Sequence, residues 1–336
     1  MIKRNIIFSR KRDLYLEFPP YFKIYKCPDE FPQPPFPMAH HPYFIEYEVE
    51  KVPPKKGLKS GARQIKKGNK YGEFEEDELS ETSVQNEQNR HALAEYMVLL
   101  NVLTDNYVFT YGSRIHYGWA INLEDKQDKS SYSQAGYREP EYDRDVSELN
   151  FIEKHNIFDR LFNVQDSEGK VVRDVGLRNL IGIYKSIADQ KLKRDFLNAC
   201  IVFNKSQYLL DHEISASYMF MVTSLEALIG IKYRDVKTKN CRSCGQPRYK
   251  VGEKFRAFID EYGYGVDKKT KKEFYDLRSG ISHRGQLLEP SYDLSFFITN
   301  QEDLDKEYLR HKHSDTHSQI QKLTQVCFSK FLFSLK

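Results

Sequence analysis

Only five cysteines occur in 336 residues, an odd number spread widely along the chain. That usage argues against a disulfide framework and for reduced thiols, so a cytoplasmic setting is expected. No run of about 18 apolar residues is present, so neither a membrane span nor a membrane partner is expected. The opening MIKRNIIFSRKRDLY has two basic clusters and no apolar centre, unlike a secretory leader. Neither sign of charge dominates. Formal charge is +4 and pI about 8.5, which permits nucleic-acid binding without requiring it. Tryptophan is nearly absent, and Trp119 reads as a core residue.

Aromatic residues are plentiful, with 23 Tyr and 22 Phe, and charged residues make up 30%. A soluble chain of two domains follows. Residues 1–150 read as a mixed α/β domain with a sensing or RNA-binding role, residues 151–175 as a connecting helix and loop, and residues 176–336 as an all-α helical domain. The fold class expected is α+β. In the first part Tyr21–Lys26 and Tyr43–Val52 have strand composition. The proline-rich FPQPPFPMAHHP between them reads as an exposed loop holding His40 and His41. Eight of the twenty residues in Lys51–Lys70 are Lys or Arg, the pattern of a basic loop or of an arm for RNA or DNA phosphates. The acidic stretch Glu73–Glu81 is placed to cover it. Gln85–Thr104 has helical spacing. Tyr107–Tyr111 and Tyr117–Asn122 read as strands joined near Gly112 and Ser113.

From Ser147 the apolar period becomes helical. Ser147–Phe162 is one expected helix, followed by a turn at Asp166–Gly169. Gly176–Asp189 is another. A longer one buries Leu192, Phe196, Cys200, Phe203 and Leu210. Glu213–Gly230 follows, with Gly230 as its stop. The last helix starts near Thr316 and turns Ile320, Leu323, Cys327 and Phe331 inward.

Phe274–Leu288, FYDLRSGISHRGQLL, organises the rest. Phe274, Leu277, Ile281 and Leu288 mark an apolar helical seam, with Arg278, Ser282, His283 and Arg284 beside it. An imidazole can move a proton near neutral pH, and a guanidinium can hold a phosphate in fixed geometry. R-x-x-x-x-H therefore suits phosphodiester chemistry, although a solvated surface helix produces the same spacing. On the helix before it Met219, Val222, Glu226 and Ile229 form one stripe. A carboxylate on an apolar stripe is unfavourable without a cation, and Arg278 is the expected partner of Glu226. Five positions along a helix turn a side chain by about 140°. Arg278 and His283 of one chain would then not face one point. A bend at Gly280, or preferably a two-fold dimer with a composite site, would reconcile them.

Cys241 and Cys244 form a C-x-x-C-G knuckle that could hold half of a structural Zn2+ site. No second C-x-x-C exists, so further ligands would come from His311, His313, His317, Cys327 or a second copy of the chain. A metal-free loop is the other reading.

FLNACIVFNKSQ, then VTSLEALIG, then YDLRSGISHRG resembles the ApeA-like branch of the HEPN superfamily over residues 176–335. The resemblance implies an all-α bundle that dimerises and a metal-independent endoribonuclease acting in anti-phage defence or as a toxin. The family's R-x(4-6)-H motif matches Arg278 and His283, its preceding acidic residue matches Glu226, and Ser279 and Ser282 occupy its variable positions. RNA supplies its own nucleophile, the 2′-OH, so alignment, proton transfer and charge stabilisation suffice. His283 would be general base or acid, Arg278 would hold the scissile phosphate, Glu226 would orient Arg278, and Arg284 would add phosphate affinity. No small-molecule cofactor is required. The competing reading is a non-catalytic HEPN module that binds RNA, a nucleotide or a partner protein. A third makes residues 1–150 the effector and the helical half a dimerisation platform.

Overall fold

The computed structural model describes residues 2–10, 12, 14–18, 20–27, 40–49, 59–65, 74–78, 81–104, 106–110, 120–121, 130–131, 163–165, 171–173, 177–210, 213–236, 250–263, 266–285, 288 and 301–336. For 59–65, 74–78, 81–87, 120–121, 130–131, 163–165, 171–173, 177–179 and 301–315 it describes the backbone path alone. The architecture is α+β, with an antiparallel sheet toward the N-terminus and a mostly helical second half. Contacts divide the chain into one unit of residues 1–97 and 108–154, and another of 98–107 and 155–336.

In the first unit the strands are β1 (Ile2–Ser9), β2 (Leu16–Phe18), β3 (Phe22–Lys26), β4 (His41–Glu48), β5 (Lys59–Ile65) and β6 (Phe74–Glu78). Helix α1 (Glu81–Leu103) follows, and after it β7 (Val108–Phe109), β8 (Ala120–Ile121) and β9 (Ser130–Ser131). The main sheet has the order β2-β3-β4-β1-β7. Tyr43, Ile45 and Tyr47 are fully buried, and Tyr96 of α1 lies against the ring of Tyr47. On the other face the register sets Glu17, Lys23, Glu46 and Arg4 side by side across four strands, an alternating row of charge. Arg4 lies 4.4 Å from the ring centroid of Phe44, and Tyr25 donates to Glu46 at 2.6 Å.

Several expectations change here. The basic stretch Lys51–Lys70 is not wholly a loop: β5 pairs with the acidic β6, with Lys59 opposite Glu78 and Arg63 opposite Glu76. Opposite charges at facing register positions favour that pairing. His41 begins β4, and His40, half-buried, sets its ring edge-on to Phe109 at 4.8 Å, so neither sits in an exposed loop. Burial lowers the His40 pKa, helped by the charges of Arg10 and His41. Strand β7 pairs with β1, and β8 with β9, so the two do not form the expected hairpin. Trp119 and Ser147–Phe162 lie outside the described residues.

The second unit opens with a hairpin, β10 (Asn163–Gln165) and β11 (Val171–Arg173), on either side of Asp166–Gly169. Its helices are α2 (Leu177–Ser186), α3 (Gln190–Leu209), α4 (Ile214–Lys232), α5 (Val251–Tyr262), α6 (Lys268–Arg284) and α7 (Gln301–Phe333). Asp189 caps α3, accepting from the N–H groups of Lys191 and Leu192. Gly230 does not stop α4, which runs two residues further, and α7 begins fifteen residues before Thr316. Helix α4 packs against α3, α5, α6 and α7. An 18-residue stretch of it has mean hydropathy 1.5, enough in length and composition for a membrane span, although serines and Glu226 interrupt the apolar run. Burial of Tyr218, Met221, Val222, Leu225 and Leu228 among neighbouring helices accounts for that composition. An aromatic cluster fills the centre: Phe196 packs on Phe328 and Phe331, and Phe258 packs on Tyr262 and Phe331. Gly263 ends α5 where a Cβ would come within 2.6 Å of the Ile259 carbonyl oxygen.

A buried polar line threads this core. His317, on α7 and 2% exposed, lies 2.7 Å by Nε2 from Ser217 Oγ, which donates to the Ser206 carbonyl at 2.7 Å. With its one proton so used, Ser217 accepts, and Nε2 of His317 carries the hydrogen. Gln325 donates to the carbonyls of Asn101 and Thr104, and Gln321 donates to Gln207. His317 and Cys327, considered as zinc ligands, are thus core residues, and burial raises the Cys327 thiol to about 12.

Burial lowers His317 from 6.5 to about 4. The unfolded chain therefore binds a proton in a range where the folded chain does not. The stability is fully present above pH 6.5 and falls as pH drops toward 4, by about 3 kcal/mol. Urea melts across that window will show this loss, and His317→Gln, which keeps a donor for Ser217, will flatten it.

Candidate functional site

Helix α6 starts where Asp267 accepts from the backbone N–H groups of Lys269 and Thr270. Those bonds, Thr270 first, hold the Asp267 carboxyl below the usual range. It ends at Gly285, whose φ of 61° is left-handed and whose N–H donates to the Gly280 carbonyl. The helix therefore lies earlier than the expected 274–288. Phe274 is buried on its seam, Leu277 and Ile281 are half-buried, and Leu288 is buried beyond the helix end.

Four ties join α6 and the residues after it to α4. Tyr218 donates its hydroxyl to the Phe274 carbonyl at 2.8 Å, and the Leu288 N–H donates to Ser215 Oγ at 2.7 Å. Ser282 Oγ lies 3.8 Å from Met219 Sδ. Arg278 Nη2 donates to Glu226 Oε2 at 3.2 Å, with side chains 23% and 21% exposed. Ser215, Met219 and Glu226 share the α4 stripe, spaced by whole turns.

The same guanidinium reaches His283. Its Nη1 lies 3.5 Å from His283 Nε2, the outer limit of a hydrogen bond. A guanidinium only donates, so any hydrogen bond here runs from Arg278 to His283. This overturns the expectation that helix geometry keeps the pair apart. An arginine is long enough to swing back across the helix surface, and the regular helix needs no bend at Gly280. The pair meets within one chain, so the geometric argument for a second copy falls away.

Arg278, Glu226 and His283 are thus brought together, with Ser282 alongside. Among the described residues no hydrogen bond or ion pair links Ser279 or Arg284 to them. Ser279 is half-buried, and Arg284 and His283 are exposed in the last turn. Arg278 Nε and Glu226 Oε1 are buried without hydrogen-bond partners among the described residues. The bridge is therefore a single contact rather than a forked one. Cys241 and Cys244 lie outside the described residues, as do the side chains of His311 and His313. Among the described residues no three His, Cys, Asp or Glu side chains gather as metal ligands would.

Ser215 and Tyr218 were missed in the sequence. A signal existed for Ser215: a hydroxyl four residues before Met219 on an apolar stripe needs a partner as Glu226 does. Chemically, the arrangement offers a cation fixed by a carboxylate, an imidazole beside it, and solvent access. No family model matches the chain, and neither a curated protein nor a solved structure matches it.

A double-mutant cycle with Glu226→Gln and Arg278→Gln, read by denaturant melts, will return a coupling of about 1–2 kcal/mol, above that of a fully exposed pair. A cycle between Arg278→Gln and His283→Ala will return a coupling near zero, since that contact is exposed and long.

Proposed function

We propose that the helical half is a HEPN-type domain and that the protein is a metal-independent endoribonuclease. What supports this reading is one arrangement: Arg278 stands between the carboxylate of Glu226 and the imidazole of His283 on an accessible helix face. Arg278 holds the scissile phosphate and stabilises its added negative charge. His283 takes the proton from the ribose 2′-OH as that oxygen attacks the neighbouring phosphorus, the bond from phosphorus to the 5′-oxygen breaks, and the leaving 5′-oxygen takes a proton from solvent. Products are a 2′,3′-cyclic phosphate and a 5′-hydroxyl. No metal is needed to create a nucleophile, because RNA brings one. Glu226 positions Arg278. Arg284, Ser279 and Ser282 add contacts to the RNA. Two chains pair, turning an open face into a cleft, and the enzyme acts in the cytoplasm in anti-phage defence or as a toxin.

Labelled RNA incubated with the full chain in EDTA will be cut, and DNA of the same sequence will survive. His283→Ala will lower the rate by about 10²–10⁴. Cleavage that persists in His283→Ala, or that requires an added metal, overturns the mechanism. Tight RNA binding with no cutting under any condition favours the non-catalytic module.

A further inference from the structure

Helix α6 carries a pattern of which the cleavage chemistry uses only the C-terminal end. The helix holds six Lys and Arg against one Glu and one Asp, a net charge equal to the +4 of the whole chain. Lys268, Lys272, Tyr275, Ser279 and His283 follow at steps of three or four residues. At 3.6 residues per turn they fall in a strip about 80° wide and about 22 Å long, with Arg278 about 60° beyond one edge. Every side chain in the strip can donate a hydrogen bond and none is a carboxylate. Glu273 is turned away and paired with Lys269, and Asp276 borders the strip on the side away from Arg278. Lys268 and Lys272 are exposed, and among the described residues neither has an ion-pair partner.

Tyr275 interrupts the cations about one turn before Arg278. Its half-exposed ring is propped from behind by Phe255 at 5.5 Å and by the bare backbone of Gly252, where a Cβ would sit 3.5 Å from Tyr275 Cε1. A ring held rigid beside a line of donors suits an occupant with both phosphates and free base faces.

We infer that this strip is a track for single-stranded RNA, running from the scissile phosphate at Arg278 and His283 toward the N-terminus of α6. Lys272 and Lys268 neutralise successive phosphates, and Tyr275 stacks one unpaired base beside the cleaved linkage. The strip covers on the order of four nucleotides. A duplex keeps its bases inside and has no face for Tyr275. The inference rests on the endoribonuclease reading for the identity of the polyanion, and its test does not depend on cleavage.

The test measures binding of the full chain to a 2′-O-methyl RNA oligonucleotide, which lacks the nucleophile and stays intact. K268Q/K272Q will weaken binding about tenfold and flatten the log–log salt dependence by about 1.4. K191Q/K205Q removes the same charge from exposed positions on α3 and will leave affinity within about twofold. Tyr275→Leu will weaken binding about tenfold, and Tyr275→Phe, which keeps the ring, will stay within about twofold. The track is refuted if K268Q/K272Q matches the α3 control in affinity and salt slope, if Tyr275→Leu binds as the unaltered chain does, or if a duplex or a polyglutamate peptide binds equally well. Since Lys268 and Lys272 are exposed, their result stands even if Tyr275→Leu fails to fold. An unaltered chain that binds as described but never cuts natural RNA sinks the endoribonuclease and leaves the track in place.

Discussion

The ion pair between Glu226 and Arg278 is the constraint on which the candidate site depends. A carboxylate on the buried helix of a core is unfavourable until a cation reaches it, so Glu226 draws Arg278 off the solvent side of its own helix. That pull decides where the guanidinium points, and His283 meets it there. Because α4 is also the helix against which α3, α5, α6 and α7 pack, the position of the charge pair is inherited from the hydrophobic core. The Tyr218 and Ser215 hydrogen bonds serve the same end. One holds the α6 backbone a turn before Arg278, and the other holds the chain just after His283.

The buried polar line from Asn101 to His317 has a different consequence. Burial of hydroxyls, amides and an imidazole adds little net stability, because each hydrogen bond made replaces one to water. Its effect is selective. Sliding α7 by one turn against α3, α4 and the C-terminal end of α1 would strand His317, Gln321 and Gln325 without partners, at a cost of about 1–3 kcal/mol each. Apolar side chains such as Ile320 and Phe328 tolerate that slide far better. Polar matching therefore sets the register, and apolar packing supplies the driving force.

Much of this was legible in residue order. Helical spacing marked the faces of α3, α4 and α7, with Phe196, Phe203, Ile320 and Cys327 buried as their period requires. Glu226 announced a partner by being charged on an apolar stripe. Other features misled. Gly230 looks like a stop, yet α4 continues two residues past it, and a side chain there would meet nothing within 4 Å. The lysines and glycines of 51–70 read as loop, yet the acidic strand that pairs with Lys59–Ile65 begins only nine residues after it ends. Serines and Glu226 interrupt the apolar composition of α4, so no unbroken run marks it.

Residue order alone determined which side chains are chemically capable: an arginine, a histidine and a glutamate at fixed spacings, the α+β division, and the cations concentrated on one helix. It did so because periodicity and charge are local properties. Whether those three groups meet, and within one chain or between two, was decided by the crossing of α4 and α6 and by the reach of one flexible guanidinium. Those depend on the packing of residues more than fifty positions apart, and no local rule contains them.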